Sequence, residues 1–470
     1  MKKHYNYLVA LTLFTGAAMA QQIIPCYTDE AMKELFAKDP EAKARYERSI
    51  NEPVPAGFAE RYGNNTTNAV YYTPDTVAVV FHILHQNGSE NIPDATVYAA
   101  LTEVNKISLK TNADTTSIHS YFQPIAGRNN IYFKLATKDP NGNCTNGIIR
   151  HFDANTDWSQ NSPGYAYTGT SAGKWNPTKY LNIYVVRMIC QGTSPCSQSG
   201  GIVVGYTYLP GTWGAGASAD CIVYNYQFLT STNARSLAHE IGHWFGLPHT
   251  FGSTNSPGTC MGGGASDDFL ASGSAGAGVV DDTPKTPGSP SSCPGSTPNS
   301  CDVSNFQNVQ NIMDYSSCPI NFTDGQCKRM HNVLGLATSG RNNLTTAANK
   351  IATGIRYPSI CAPIADFHVT ARNVCPNTTV TFSDSSFNAK TTIWNWSFPG
   401  GTLQGGSTVT DSMPKVSYAA PGTYAVSYTA ATSGGSNSIT KNSYMTVLSN
   451  VATYNTAWTE GFEVSTLPGS

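Results

Sequence analysis

The sequence predicts an α/β domain carrying a long irregular lobe, followed by an all-β sandwich. Three observations carry this. Between residues 76 and 245, apolar strands alternate with amphipathic helices, the mark of an α/β layer. Residues 252–311 are rich in Gly, Ser and Pro, with repeated turn signals. Beyond residue 362 period-two alternation returns with turns between, a sandwich pattern of about 85 residues.

The elements follow in order. Lys2 and Lys3, the apolar run Leu8–Ala17 and Ala18-Met19-Ala20 before Gln21 read as a signal peptide over 1–20, so the protein is expected to be secreted. That run falls far below the roughly 20 residues of a membrane span, and no later segment qualifies. Residues 21–72 read as a removable pro-segment and linker, cut somewhere in 50–72. Within them Thr28–Ile50 carries charge at helical spacing, with Thr28 as N-cap and Met32, Leu35 and Phe36 as a short apolar stripe. Pro53–Gly57 and Gly63–Asn65 are turn-rich.

Residues 73–361 are the expected α/β domain. Thr76–Leu84 is a central strand. Asp94 caps a helix that aligns Val97, Leu101, Val104 and Ile107. Ile131–Ala136, Leu181–Val186, Ile202–Leu209 and Cys221–Tyr226 are further strands, and Asn233–Phe245 is a helix capped by Ser231 or Thr232. The sandwich, 362–449, takes strands at Thr379–Phe382, Ile393–Phe398, Tyr424–Tyr428 and Tyr444–Leu448. Residues 450–470 lack a closing element and read as linker or as the start of a further domain.

Lys plus Arg (28) nearly balances Asp plus Glu (30) with no basic stripe, which excludes nucleic acid as a partner class. Twelve cysteines in an exported chain favour disulfides, and no Cys-x-x-Cys occurs to support a thiolate zinc site.

The chemistry lies in His239-Glu240-Ile241-Gly242-His243. Histidines four apart share one helix face and can reach one cation. Glu240 projects near the open coordination position, where it can take a proton from water. Gly246 ends the helix in a left-handed turn, so that His249 returns as a third nitrogen ligand. Three neutral imidazoles leave zinc its full double charge, which draws the pKa of a coordinated water from about 15.7 toward 7. The expected reaction is hydrolysis of a polarised carbonyl.

Residues 239–249, HEIGHWFGLPH, resemble the long zinc motif of the metzincins. The resemblance implies a twisted sheet with backing and active-site helices over an irregular lower lobe. It also implies a methionine turn, which Asn311-Ile312-Met313-Asp314-Tyr315 supplies, with Met313 as an apolar floor and Tyr315 as a donor to the tetrahedral oxyanion. With VVDDTP at 279–284 and NIMDYSSC at 311–318, residues 76–340 look like the small bacterial and archaeal members of the pappalysin family. From that likeness come disulfides Cys260–Cys301 and Cys293–Cys318, and a structural calcium held by Val280, Asp282 and Thr283. Cys26, alone in the pro-segment, is either a thiolate on the fourth zinc position that keeps a zymogen silent or a member of an ordinary disulfide.

Relatives that cut before Arg or Lys carry an acid in the loop after the Met-turn tyrosine. Here Ser316-Ser317-Cys318 has none and Asp324 is the nearest, which puts a basic P1′ preference in doubt. Residues 362–448 resemble a polycystic-kidney-disease (PKD) domain, a spacer or extracellular-polymer binder, on Ile393–Gly401 and Pro421-Gly422-Thr423-Tyr424. The expected function is therefore a secreted zinc endopeptidase acting on proteins or peptides. Its alternatives are an adhesive protein using the fold as a scaffold and an amidase on cell-wall peptides.

Overall fold

The computed structural model describes residues 23–54, 62–63, 71–72, 74–154, 156–159, 175–190, 201–217, 219–230, 234–252, 254–255, 257–258, 282–288, 299–302 and 304–449. The signal peptide, most of the expected cleavage region, the Ser231 or Thr232 cap, Val280, Cys260, Cys293 and residues 450–470 lie outside them. The chain forms two units, 1–134 with 149–350, and 135–148 with 351–470.

The first unit is built on a sheet ordered Gly205–Thr207, Ile222–Asn225, Leu181–Val186, Asp75–His85, Ile131–Leu135, with Ile148–Phe152 also pairing to Asp75–His85. Asp75–His85 is buried almost without interruption, as a strand covered on both faces must be. It runs parallel to Leu181–Val186, which runs parallel to Ile222–Asn225, while Gly205–Thr207 is antiparallel. The expected strand Ile202–Leu209 divides at Val204 into Ile202–Val203 and Gly205–Thr207. Helix Asp94–Ser108 packs against helix Ala234–Trp244. Asn105 locks the first of these to the sheet, donating from Nδ2 to Phe133 O (2.8 Å) and accepting from Phe133 N (2.7 Å). Asp94 is not the cap: it is the first helical residue, behind Pro93, and its Oδ1 lies 2.6 Å from an Arg150 guanidinium nitrogen. A cross-element charge has taken the side chain that local geometry would have used.

Residues 28–50 form two helices rather than one, Thr28–Lys38 and Pro40–Ile50. Pro40 cannot continue the first helix but suits the opening turn of a second. Asp39 caps the second, accepting from Glu41 N (3.0 Å) and Ala42 N (3.1 Å). Thr28 is not a cap either; its hydroxyl is used elsewhere, as described below. Met32, Leu35, Ala42, Tyr46 and Ile50 are buried in one core with Tyr206, Tyr208, Leu209 and Val223. Ahead of the helices, Ile23–Ile24 pairs in parallel with Ile202–Val203, and Val204 N donates to Ile24 O (3.0 Å).

The second unit contains a sandwich of two four-stranded sheets. One is ordered Phe367–Val369, Val380–Asp384, Lys415–Tyr418, Gly401–Leu403; the other Asn373–Val374, Gly435–Val447, Gly422–Thr432, Ile393–Ser397. Phe367, Phe382, Trp396, Val416, Val426, Tyr428 and Met445 fill the space between, with Trp396 stacked on Tyr428 at 4.1 Å. Residues 135–148 group with this unit. The disulfide Cys144–Cys361 and hydrogen bonds from Thr137 N and Lys138 N to Thr353 O (3.0 and 3.2 Å) tie them there. Gly354 adopts φ +75°, and a Cβ on it would fall 2.2 Å from Thr137 Oγ1. Cys26, Cys327 and Cys375 are free thiols, so Cys26 is not a member of an ordinary disulfide.

Candidate metal centre

The site begins with helix Ala234–Trp244, whose apolar residues Leu237, Ala238 and Ile241 are buried. His239 and His243 share one face of it. Gly246 ends the helix at φ +82°, with Leu247 N bonded to Gly242 O (2.9 Å), a left-handed closure that reverses the chain. His249 then returns toward the helix. The three Nε2 atoms lie 3.1–3.2 Å from one another.

Those distances are not hydrogen bonds. Each Nδ1 faces an acceptor: Ile312 O for His239, Leu247 O for His243 and Asp29 Oδ2 for His249, all at 2.7 Å. A carbonyl or carboxylate can only accept, so each proton sits on Nδ1 and all three Nε2 lone pairs converge bare. Burial lowers the pKa of His239 to about 3 and holds that of His243 well below the usual value, so both rings are neutral. Three converging lone pairs repel unless a cation lies between them. Tetrahedral zinc with bonds of about 2.0–2.1 Å requires edges of about 3.3–3.4 Å, close to those observed. The residues fit the ion.

Below the helix Met313 is fully buried, and a Cβ on Gly242 would fall 2.4 Å from its Sδ. Glycine thus lets the helix settle on the methionine. Glu240 is fully buried beside the cluster, and burial, above all, raises its pKa to about 8. Its Oε2 lies 3.6 Å from Cys26 Sγ and accepts from Thr28 Oγ1 at 3.4 Å; its Oε1 meets no donor among the described residues. A Cβ on Gly205 would lie 3.2 Å from that Oε1, so the strand passes close by only because it is bare there.

Cys26 completes the constellation. Its sulfur and one nitrogen from each of His239, His243 and His249 lie within 4.8 Å of one another. Burial first, and then Glu240, push its thiol well above the ordinary range. Tyr27 N donates to Gly205 O (3.1 Å), so residues 23–27 run along the strand beside the site. Tyr315 OH is within 3.3 Å of both Cys26 O and Asn255 Oδ1.

The calcium set is not assembled among the described residues. Val280 lies outside them, and Asp282 sits at the start of helix Asp324–Val333, whose cap is Thr323, and accepts from Thr323 Oγ1 and Gly325 N at 2.7 Å. Thr283 is buried beside it in sequence. Cys301 and Cys318 are both in disulfides; their expected partners, Cys260 and Cys293, are not described. A cleft of about 320 Å³ opens beside His239, lined by Val204, Phe228, Ile312, Tyr315, Ser317 and Pro319. Arg235 and Asp314 also line it, each already engaged: Arg235 with Asp114 Oδ2 (2.6 Å), Asp314 with Thr250 Oγ1 (3.0 Å) and Ser316 N (2.9 Å). Asp324 is not part of it.

Sequence reasoning missed Thr28, Asp29 and Asn255. Their partners lie far along the chain, and the one trace was an acid three residues after Cys26.

Residues 166–335 match the peptidase family described as pregnancy-associated plasma protein-A, and residues 361–447 match the PKD domain. An extracellular metalloprotease of Podospora anserina is 32% identical over 188 residues, 38% of this chain and 54% of that protein. One of Pyricularia oryzae is 29% identical over 201 residues, 40% and 59% of the two. The chain thus spans about half the length of the curated relatives it matches. A mutant of Tannerella forsythia promirolysin shares the fold at 26% identity and TM-score 0.51, over 69% of this chain and 98% of that one.

Proposed function

Because the chain carries a pappalysin-family peptidase domain followed by a PKD domain, we propose that it is a secreted zinc endopeptidase held silent by its own N-terminal segment. The observation that carries this is the trio of bare Nε2 atoms at 3.1–3.2 Å, with Glu240 and Cys26 against them. His239, His243 and His249 would hold zinc, which when bound polarises the scissile carbonyl and acidifies water. Glu240 takes the proton of the attacking water and passes it to the leaving amine. Its buried position suits a group that must both accept and release a proton near neutral pH. Tyr315, once its hydroxyl leaves Cys26 O, donates to the developing oxyanion.

In the zymogen Cys26 takes the fourth ligand position, Thr28 holds Glu240, and Ile23–Tyr27 cover the strand beside the cleft. A cut beyond residue 54 would release all of them together. Export follows from the signal peptide at 1–20, and the PKD domain serves as a spacer or as a binder of extracellular polymer. A calcium near 280–283 and the pairs Cys260–Cys301 and Cys293–Cys318 would brace the irregular lobe. The scaffold reading is disfavoured, since a scaffold has no use for a buried carboxylate aimed at three bare imidazoles.

The test is hydrolysis of a protein substrate by the purified chain before and after removal of the N-terminal segment, with zinc measured by elemental analysis. Activity should rise on processing. Cys26→Ala should be active without it, and Glu240→Ala should keep its zinc yet lose several orders of magnitude in turnover. Folded protein that takes up no zinc, or near-wild-type turnover in Glu240→Ala, refutes the proposal.

A further inference from the structure

The three imidazoles differ in who holds them. His239 and His243 donate from Nδ1 to main-chain carbonyls of Ile312 and Leu247, which belong to the permanent body of the site. His249 donates instead to Asp29 Oδ2 at 2.7 Å. Asp29 lies in the first turn of helix Thr28–Lys38, inside the segment that the zymogen reading removes. The asymmetry falls on the ligand with the least local support. His239 and His243 ride on a helix, whereas His249 sits on the return beyond Gly246.

Asp29 is itself well placed to hold that ring. Helix Thr28–Lys38 is anchored through Ala31, Met32 and Leu35 to the core it shares with Tyr208 and Leu209. The His249 side chain is fully buried, and that of Asp29 is 13% exposed. A carboxylate on the second nitrogen of a ligating imidazole fixes its tautomer and makes the other nitrogen a stronger donor to metal.

We propose that Asp29 is a positioning residue for the metal site: the N-terminal segment assembles the site around its ion by holding His249 with its proton on Nδ1. Processing then removes the Cys26 ligand and the Asp29 support at once, leaving a site that grips its metal less tightly than the zymogen does. Only this second half rests on the zymogen reading.

The experiment uses the full-length chain in a Cys26→Ala background, so that loss of the direct ligand is constant. Zinc affinity is measured by competition with a chromophoric chelator for the background, Asp29→Asn and Asp29→Ala. Asp29→Ala should weaken zinc binding about 10–100-fold. Asp29→Asn should fall between, because its amide oxygen still accepts from Nδ1 but carries no charge. Melting with and without zinc supplies the second readout. A purely structural role shifts both melting points equally; a positioning role narrows the gap between them, in the order background, Asn, Ala. Equal affinity and an equal gap in all three proteins overturn the inference. If Asp29→Ala does not fold, Asp29→Asn against the background decides alone. The N-terminus of the active protein judges the zymogen reading separately: a start beyond residue 54 supports it. Retention of residues 23–54 in active protein refutes it and leaves the zinc affinities to decide the role of Asp29.

Discussion

Gly242→Ala is the sharpest probe of how the helix sits on its floor. The added Cβ would fall 2.4 Å from Met313 Sδ and 3.4 Å from both Met313 Cε and Leu247 Cδ1. Ordinary non-bonded separations are about 3.5–4.0 Å, so the helix or the methionine must give by roughly 1 Å. Such overpacking costs about 1–3 kcal/mol. Exchanging Gly for Ala inside a helix returns about 1 kcal/mol. Net destabilisation should therefore be only about 0–2 kcal/mol. The site should suffer more, because the same turn carries His239 and His243, and a displacement near 1 Å can cost about 100-fold in rate. Three measurements check this: thermal melting, zinc retention against a chelator, and kcat/KM on a peptide substrate. Hydrolysis should drop at least about tenfold while melting moves little, and Met313→Val in the same chain should recover part of the loss. Full activity with a melting point above wild type would show that the close approach at Gly242 has no role in placing the ligands.

Other predictions follow from other parts of the molecule. His82 Nε2 donates to Asn182 Oδ1 (3.1 Å), whose amide nitrogen is spent on Trp175 O and Tyr180 O, so His151 Nε2 must donate to His82 Nδ1 (3.1 Å). Both rings are thus neutral, and burial holds their pKa near 3 and 4, below the ordinary 6.5. The unfolded chain binds the extra protons, so this stability is complete above about pH 6.5 and falls as pH drops toward 4. Denaturant unfolding across that range should show a decline that His151→Gln reduces. The cleft beside His239 offers hydroxyl and apolar walls and no unengaged acid among the described residues. A cleavage profile on a proteome-derived peptide library should show Arg and Lys depleted at P1′, and Ser317→Asp should raise them; a strong basic preference in the wild type would refute that reading. Replacing Cys144 and Cys361 with Ser should cost about 2–5 kcal/mol in the unfolding of the C-terminal unit and leave zinc uptake unchanged.

What could be read in advance divides along chain distance. The helix of His239 and His243, its end at Gly246, the strand Leu181–Val186 and the sandwich strands depend on periodicity and turn chemistry, which are local, and they appear where expected. The same local rules predict caps at Thr28 and Asp94, and neither side chain caps its helix, because Glu240 and Arg150 engage them across the fold. Pro40 is a local signal as well: its ring cannot continue a helix, and it divides the charged stretch around it into two. The pairing of Cys144 with Cys361 could not be read, since connectivity among many cysteines is not contained in their spacing. The Asp29 contact belongs to the same class: a carboxylate and an imidazole 220 residues apart are joined by no local pattern, and an acid three residues after Cys26 does not say which side chain it meets.

The short parallel ladder between Ile23–Ile24 and Ile202–Val203 has a consequence for the mature molecule. On the zymogen reading, departure of Ile23–Ile24 leaves the Val204 amide and the edge they had paired without a strand partner, while the Val203 and Val204 carbonyls stay bonded to Asn225; that edge is a template for an extended polypeptide. Two freshly activated copies can dock there as readily as a foreign chain can. Turning the protein on and making it prone to clump therefore share one trigger, and a peptide lodged in the groove would shield against the second.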